Sequence, residues 1–450
     1  MEKKFTFLLI FFSLNIFGQC WQTVAGGSTH SIGIKTDGTL WSWGLNNYGQ
    51  LGDGTTNHKN TPTQIGVGSS WQSVSCGYDY SVAIKSNGTL WGWGYNYNGQ
   101  LGVNLNPPAN FIPSPRQIGT DNNWQSVSAG THFIVAKKID GTIWAMGNNG
   151  NGALGDGTYI SRNFMGQIGL DNNWENVSVK GYHTIAKKTN GTIWTWGLNN
   201  YGQLGDGTYI NKNEPIQIGI GSNWQNIAAG YYHTIAIKSD GTLWTWGYNY
   251  LQQLGDGTYI NKNVPIQIGN ENDWQSATGG YDYTIIKKVD GTIRSWGSNY
   301  LGQLSSNPSQ LVIINDWQII ACGHYHNLYI KNDGSLWTWG PNSNGQLGDG
   351  TNISRDMPVM IQCPISLNGD NFEMFNDMVF YPNPVKDSFK IENAGVISMI
   401  KIYDTKGVII RLISSNFSDP IDISNLRQGI YLLSIIDDEG NLLNKRLIKD

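Results

Sequence analysis

Four histidines occupy one register of a repeated phrase, and their type and spacing could do chemistry. They are His30, His183, His233 and His326, each just ahead of an apolar run. Imidazoles gathered at one register could bind a metal ion or supply a general base. Sister repeats, however, carry Tyr80, Phe133 and Tyr283 at this position. That exchange suits a packed, hydrogen-bonding side chain, so we expect structural histidines and predict no catalytic, metal-binding or cofactor-binding residue.

A recurring Gly-Asp-Gly-Thr tetrapeptide, first at residues 52–55, is the other candidate for a ligand loop. It lacks the lysine of a phosphate loop and the ligand spacing of a calcium loop. As turn chemistry it is ordinary, because Asp caps its own backbone and Gly adopts the left-handed conformation. The sequence also contains no nucleophile elbow, zinc-protease helix or dinucleotide-binding fingerprint. We therefore predict that the protein is not an enzyme.

The elements that position these residues follow from a repeat of about fifty residues, each unit opening with a tryptophan. The opening residues are Trp21, Trp71, Trp124, Trp174, Trp224, Trp274 and Trp317. In the unit at 215–247, four short segments separated by Gly-rich turns read as strands, at 215–218, 224–229, 233–238 and 242–246. Asp-Gly or Asn-Gly joins the last two segments of every unit, as tight hairpins require.

A four-stranded unit with an exposed aromatic face needs neighbouring units to cover that face. Seven such units are best accommodated by radial stacking, in which each sheet covers the next. We therefore predict an all-β chain in which a seven-bladed β-propeller is followed by a small C-terminal β-sandwich. An open solenoid is the alternative architecture.

The repeated phrase resembles the regulator of chromosome condensation repeat. The likeness rests on the phrase at 228–236, followed by Trp246-Gly247 and Gln253-Leu254-Gly255, and covers about residues 21–363. The resemblance implies a propeller. It also raises guanine-nucleotide exchange as an alternative function, although the exchange loops do not map onto these residues.

A ring of this kind must join its last unit to its first. The strand at 358–361 has no following strand, and the strand at Trp21 has no preceding one, so we expect the two to meet in one blade. Cys20 and Cys363 flank that junction. We predict a Cys20–Cys363 disulfide that replaces the missing hairpin connection.

Both ends of the chain predict export. Residues 1–18 read as a cleaved signal peptide, with Lys3 and Lys4 ahead of a short apolar run. Cys20 also fits a lipid-anchored cysteine, although Gln19 stands where such a motif has Gly or Ala. We place the propeller at 19–363, a linker at 364–375 and a separate domain at 376–450. Phrases such as Tyr381-Pro382-Asn383-Pro384 make that domain resemble the type A sorting domain of type IX secretion.

Composition limits the partners. The formal net charge is −4 and the chain has no basic tail, which disfavours nucleic acid. The apolar signal run is too short to span a bilayer, so we expect no transmembrane segment in the mature chain. We predict a monomer, secreted or held on the outer surface of a Gram-negative bacterium, that meets type IX machinery through its C-terminal domain.

Loop tyrosines are the predicted binding residues, since tyrosine combines rigid contact area with a hydroxyl. Units three to five repeat Asp-Gly-Thr-Tyr-Ile with a cation at a fixed offset; recent duplication with packing between units is the competing interpretation. The candidates are Tyr159, Tyr209, Tyr259, Arg162, Lys212, Lys262, Tyr48 and Tyr201. We predict a non-enzymatic protein that binds an extracellular protein or polysaccharide. An extracellular polysaccharide-degrading enzyme is the alternative.

Overall fold

The computed structural model describes residues 20–66, 68, 70–102, 110–304, 316–364, 379–392, 397–404, 408–414, 420–437 and 442–450. The predicted signal peptide and residues 365–375 of the predicted linker lie outside the described residues. The chain divides into two compact units, with the boundary between Cys363 and Pro364. Within the described ranges, no helix is long and apolar enough to cross a membrane.

The first unit is built from antiparallel sheets, which we call blades and number along the chain. Blade 1 holds β1 (Trp21–Gly26), β2 (His30–Lys35), β3 (Leu40–Gly44) and β4 (Lys59–Gln64). Blade 2 holds β5 (Trp71–Cys76), β6 (Tyr80–Lys85), β7 (Leu90–Tyr95) and β8 (Phe111–Gln117). Blade 3 holds β9 (Trp124–Ala129), β10 (Phe133–Lys138), β11 (Ile143–Gly147) and β12 (Arg162–Gln167).

The remaining blades repeat this order. Blade 4 holds β13 (Trp174–Val179), β14 (His183–Lys188), β15 (Ile193–Gly197) and β16 (Lys212–Gln217). Blade 5 holds β17 (Trp224–Ala229), β18 (His233–Lys238), β19 (Leu243–Gly247) and β20 (Lys262–Gln267). Blade 6 holds β21 (Trp274–Gly279), β22 (Tyr283–Lys288) and β23 (Ile293–Gly297). Blade 7 holds β24 (Trp317–Cys322), β25 (Asn327–Lys331), β26 (Leu336–Gly340) and β27 (Arg355–Ile361).

The first strands of the blades form a closed ring. Each packs against the first strand of the next blade, in the order β1, β5, β9, β13, β17, β21 and β24, and β24 packs against β1. A solenoid would leave β1 and β24 apart, so the ring excludes that alternative. The described residues therefore form a seven-bladed propeller with the first strands around its axis, as predicted.

Tryptophan-rich clusters between blades form the core. Trp224 and Trp246 of blade 5 lie in one buried cluster with Ile185, Ile193 and Ile218 of blade 4. The same pattern places Trp274 of blade 6 with side chains of blade 5. Removing such a side chain costs about 3–5 kcal/mol of unfolding free energy, because a buried aromatic residue leaves a large cavity. Each blade is therefore stabilised mainly by its neighbours.

The strand grouping predicted from sequence is wrong by one strand. The segment around Pro215 lies in β16, which pairs with β15, Trp194 opposite Gln217. It therefore ends blade 4 rather than opening blade 5. The short connection from Gln217 to Trp224 crosses between blades, whereas the long loop before β16 stays within its blade.

The Cys20–Cys363 disulfide is confirmed, with a sequence separation of 343. Its predicted setting is wrong, because β27 pairs with β26 in blade 7 and β1 pairs with β2 in blade 1. The two terminal strands therefore lie in neighbouring blades rather than one. The disulfide takes the place of a crossover between blades.

The second unit contains two sheets. Their strands are β28 (Val379–Tyr381), β29 (Ser388–Glu392), β30 (Ile397–Tyr403), β31 (Ile409–Ile413), β32 (Ile421–Asp422), β33 (Gly429–Asp437) and β34 (Leu442–Lys449). One sheet has the order β28-β29-β32 and the other β31-β30-β33-β34. Phe389 of the first sheet and Ile400, Ile402 and Leu433 of the second share one buried cluster. This is a small β-sandwich, as predicted.

Candidate binding face

The four repeat histidines are buried and form hydrogen bonds to the next blade. In each, Nε2 lies 2.8–3.0 Å from a hydroxyl of the next blade, pairing His30 with Ser81, His183 with Thr234, His233 with Thr284 and His326 with Ser31. Burial lowers the pKa of each imidazole to about 3. At neutral pH these rings are uncharged and enclosed, a setting that suits packing between blades.

Tyrosine at the same position performs the same task in blade 2. The Tyr80 hydroxyl donates to the backbone oxygens of Gly130 at 2.9 Å and Phe133 at 2.6 Å in blade 3. Residue 134, which follows Phe133, is isoleucine and offers no side-chain hydroxyl. Tyr80 thus links blades 2 and 3 through backbone oxygens, without a side-chain hydroxyl from the next blade.

In most blades the loop between the third and fourth strands is organised by one buried asparagine, as Asn199 illustrates. Its Oδ1 accepts from Leu204 N at 2.9 Å, and its Nδ2 donates to Asp206 Oδ1 at 3.0 Å and Thr208 O at 3.1 Å. Asp206 also accepts from the Thr208 backbone N–H, and Gly205 and Gly207 have positive φ. The tetrapeptide is therefore a self-capped turn, as predicted.

Three predicted tyrosines, which we call the rim tyrosines, lie just before the fourth strands of blades 3 to 5. Tyr159, Tyr209 and Tyr259 are 51%, 51% and 62% exposed. The accompanying cations pair within their own loops: Arg162 with Asp156, Lys212 with Asp206 at 3.3 Å and Lys262 with Asp256 at 3.4 Å. A partner would therefore meet these cations already partly neutralised.

Six aromatic rings from blades 2 to 7 form a closed circuit at the turns between first and second strands. The circuit runs Tyr78, His132, Tyr182, Tyr231, Tyr281, His324 and back to Tyr78, with neighbouring ring centroids 4.1–6.4 Å apart. Because the first strands surround the propeller axis, the circuit encircles that axis at one end. Blade 1 presents Ser28 and Thr29 at the equivalent turn.

Further tyrosines extend the circuit outward. Tyr95 contacts His132 with centroids 5.7 Å apart, and the predicted binding residue Tyr48 contacts Tyr95 at 5.0 Å. The predicted Tyr201 contacts Tyr232 at 5.1 Å. We call the circuit together with its ring neighbours the aromatic face; those neighbours are Tyr48, Tyr95, Tyr97, Tyr201, Tyr232, Tyr248, Tyr250 and Tyr325.

Two carboxylates lie in this face within identical Gly-Tyr-Asp-Tyr turns. They are Asp79 of blade 2 and Asp282 of blade 6, and burial raises the pKa of each to about 6. Ser28 Oγ donates to Asp79 at 3.1 Å. Asp282 Oδ1 is buried without a hydrogen-bond donor from the described residues. Half-buried carboxylates among tyrosines can accept hydrogen bonds from hydroxyl or ammonium groups.

Lys180 brings a cation to the axis. Lys180 stands where other repeats have glycine. Those glycines pack tightly against the ring that follows: at Gly230, an added Cβ would lie 2.1 Å from His233 Cε1. The Lys180 amine donates to the Cys322 backbone oxygen at 2.5 Å, reaching from blade 4 to blade 7. Burial, reinforced by the Lys180 charge, lowers the pKa of His324 well below its usual value.

Sequence reasoning found outer loop tyrosines of the aromatic face, Tyr48 and Tyr201 among them, but missed the circuit itself. Tyr231 and Tyr232 lie inside the phrase that resembles the repeat family, and that phrase by itself indicates a role in the repeat and none in a surface. A usable signal existed: the two residues before the histidine position differ between repeats while their surroundings recur. Those two positions are rich in Tyr, His and Asp.

The fold and the repeat chemistry define a β-propeller of tryptophan-led repeats. Two family models of the regulator of chromosome condensation (RCC1) repeat match the chain. One matches residues 37–84, 87–136, 190–237, 240–286 and 333–373, which is more than half of the chain. The other matches residues 21–50, 71–100, 174–203, 224–253 and 317–346. The chain belongs to the RCC1 repeat family.

Named relatives share part of this chain. Protein RCC2 of Mus musculus is 29% identical over 147 residues, 31% of this chain and 28% of its own length. Protein RCC2 of Homo sapiens matches over the same shares. The chain therefore spans less than a third of the length of the curated relatives it matches.

Solved structures agree on the fold. Human WBSCR16 is 20% identical with a TM-score of 0.66, over 73% of this chain and 96% of that chain. Yeast RCC1 (Prp20), solved bound to Kap60, is 16% identical with a TM-score of 0.65, over 76% of this chain and 85% of that chain. At these identities the likeness supports the fold alone.

The second unit matches the secretion system C-terminal sorting domain over residues 379–450. This agrees with the sequence resemblance to a type IX sorting domain. The chain is therefore exported by type IX secretion to the cell surface or beyond.

Proposed function

We propose that this protein is a non-enzymatic binding protein of a Gram-negative cell exterior, whose aromatic face engages an extracellular polysaccharide or protein. The aromatic face is the observation that carries the proposal. Clustered tyrosines provide rigid contact area and hydroxyl groups at low entropic cost, as binding surfaces require. The sorting domain supports export, which puts the face where such partners occur.

Exposure within the face decides which residues to test. Tyr97 and Tyr250 are 68% and 59% exposed, whereas Tyr231 is 4% exposed and holds the circuit together. Truncating Tyr97 and Tyr250 should therefore remove contact area without opening the core. The rim tyrosines Tyr209 and Tyr259 provide a matched pair of similar exposure at the outer part of the same class of loop.

The test is binding of the exported protein to an array of extracellular polysaccharides and to outer-surface proteins of the producing cell. We expect Tyr97→Ala/Tyr250→Ala to weaken binding at least tenfold, a loss of about 1.4 kcal/mol. Unchanged affinity in that variant, with loss in Tyr209→Ala/Tyr259→Ala, would move the site to the rim. Retention of full affinity by both variants would overturn a tyrosine-based site.

One observation favours a second candidate, an extracellular polysaccharide-degrading enzyme. Burial raises the pKa of Asp79 and Asp282 to about 6, a range useful for general acid catalysis. This candidate requires new reducing ends when polysaccharides that bind the protein are incubated with it. It further requires that Asp282→Asn abolish their formation while binding persists.

A further inference from the structure

A lysine lies over two tryptophan rings in most blades, at the connection between neighbouring blades. In blade 4, Lys188 Nζ is 4.7 Å and 4.0 Å from the ring centroids of Trp174 and Trp194. In blade 5, Lys238 Nζ is 5.0 Å and 3.9 Å from those of Trp224 and Trp244. Such cation–π contacts fix the ammonium group but leave its hydrogen-bond donors unused.

Three blades give this ammonium a carboxylate from the same place in the sequence, three residues before the opening tryptophan. The pairs are Lys138 with Asp121 at 2.9 Å, Lys188 with Asp171 at 2.7 Å and Lys288 with Glu271 at 3.0 Å. In blades 3 and 4 the carboxylate therefore has the same place relative to the lysine and its two indoles. In blade 6 Arg294 stands in place of the second indole and Lys288 also pairs with Asp273 at 3.1 Å, while in blade 7 Lys331 pairs with Asp316, one residue before its tryptophan, at 3.3 Å.

Blade 5 lacks this carboxylate. Gly221 stands at the acid's position, and Lys238 forms no ion pair with any residue in the described ranges. A cleft with a volume of about 430 Å³ opens beside them. We call it the Lys238 cleft; it is lined in part by Lys238, Gly221, Asn223, Gln217, Trp244 and Pro265.

We propose that the Lys238 cleft binds the carboxylate of an acidic sugar, a uronate residue, in the position that Asp171 occupies beside Lys188. The remaining walls fit the rest of such a ring, and Asp206, the acidic residue of the lining, is already paired with Lys212 at 3.3 Å. Gln217 and Asn223 carry amides that can donate to and accept from hydroxyls, while Trp244 and Pro265 present apolar surface for C–H groups. The volume lies in the range of small-ligand sites.

The expected affinity is modest. Equivalent acids such as Asp171 are about half exposed, at 57% of the side chain, and ion pairs in such positions contribute little. One uronate should therefore bind with a dissociation constant of about 1–10 mM, and the affinity should fall as salt rises.

The test is a titration of the nitrogen-15-labelled exported protein with tri-galacturonate. Proton–nitrogen correlation NMR follows the signals of the indole N–H groups. Galactotriose, which lacks the carboxylates, is the matched ligand. We expect tri-galacturonate to shift the Trp244 indole signal and galactotriose to leave it unmoved. Binding of both sugars alike would overturn the carboxylate assignment.

Two variants locate the site. Lys238→Met removes the charge while keeping an apolar chain over the indoles. Gly221→Asp installs the sister repeats' acid; a Cβ there would meet only Asn223 Oδ1, at 3.4 Å. Both changes should lower the affinity for tri-galacturonate at least fivefold. Lys188→Met, at a lysine that is already paired with Asp171, should leave that affinity unchanged. Wild-type affinity in Gly221→Asp would falsify the proposal.

Two further measurements distinguish a sugar ligand from a peptide ligand, and the Lys238 cleft from the aromatic face. Oligo-glutamate carries the same carboxylates on a peptide, and binding of it with comparable affinity would replace the uronate with an acidic peptide. Tyr97→Ala/Tyr250→Ala should bind tri-galacturonate like the wild type, since those residues lie outside the cleft. Failure of the aromatic-face proposal would therefore leave this result unchanged.

Discussion

At the residue scale, the buried histidines link stability to pH. The folded pKa of His233 is lowered to about 3 by burial, against 6.5 for an ordinary imidazole. As pH falls below 6.5, the imidazole is protonated in the unfolded state but stays neutral in the folded state. Stability is therefore complete above pH 6.5 and is lost toward pH 3, by about 1.4 kcal/mol per pH unit per histidine. Asp79 and Asp282, whose pKa values are raised, act in the opposite sense but are fewer.

We predict that His233→Phe, which copies the residue of blade 3, flattens this dependence. Between pH 6.5 and 4.5 the variant should lose about 2–3 kcal/mol less than the wild type. At pH 7.5 it should be about 1 kcal/mol less stable, because one hydrogen bond to Thr284 is lost. Urea unfolding at the three pH values measures both terms. An unchanged pH dependence in His233→Phe would contradict the assignment.

Exposure predicts opposite outcomes for two sets of tyrosines. Tyr209→Ala/Tyr259→Ala should change the unfolding free energy by about 0.5 kcal/mol or less per site, since both residues are more than half exposed. Tyr231→Ala should cost about 3–5 kcal/mol, because its ring is 4% exposed and stacks on Tyr281 at 4.1 Å. Thermal unfolding distinguishes the two sets. A large loss of unfolding free energy in the double variant would mean that the rim tyrosines contribute to the packed interior.

Sequence reasoning reached the structural side chains more readily than the surface. Residues that repeat do so because the same packing recurs seven times, as with Trp224 and the aspartate of each Asp-Gly turn. The aromatic face depends on Tyr78, His132 and Tyr281, which come from different blades and meet only once the ring closes. Periodicity carries no information about that meeting. The predicted Tyr48 and Tyr201 belong to the face, but the sequence indicates only their position in a loop and not their ring contacts.

At the element scale, strand identity was predictable and strand partnership was not. The predicted segments at 224–229 and 233–238 coincide with β17 and β18. The predicted blade of the outer strand is wrong because only a short linker separates that strand from the next tryptophan, and closeness in sequence favours pairing with the wrong neighbour. What overrides that closeness is the asparagine network, which folds the long loop before the outer strand back onto its own blade.

This network gives a prediction for Asn199. Asn199→Asp keeps the shape but turns the donor toward Asp206 and the Thr208 carbonyl into an acceptor. We expect a loss of about 3–5 kcal/mol at pH 7, because it places an uncompensated charge beside a carboxylate. Asn199→Ala should cost less, about 1–3 kcal/mol. Denaturant unfolding at pH 7 ranks the two, and a milder effect of Asp than of Ala would reject the assigned direction of these hydrogen bonds.

At the scale of the whole molecule, the ring closes by the same contacts that join its other blades. Trp21 N donates to Gly334 O at 3.1 Å, as Trp224 N does to Gly191 O between blades 4 and 5. Gly350 N likewise donates to Asn60 O at 2.8 Å, as Gly157 N does to Asn213 O. The seam between blades 7 and 1 therefore lacks only a backbone connection, which the disulfide replaces.

We predict that Cys20→Ser/Cys363→Ser leaves the propeller folded but selectively weakens that seam. Joining residues 343 apart in sequence restricts the unfolded chain, so losing the bond should cost about 3–5 kcal/mol. The hydrogen bonds across the seam remain, so the propeller stays folded. Amide exchange should nevertheless rise in β1 and β27, next to the lost disulfide, with β17 and β18 little affected. Cys76→Ser, at a free cysteine, is the matched control. Uniform acceleration of exchange across all blades would mean that the disulfide acts on the whole ring, and exchange unchanged at β1 would mean that noncovalent contacts alone hold it closed.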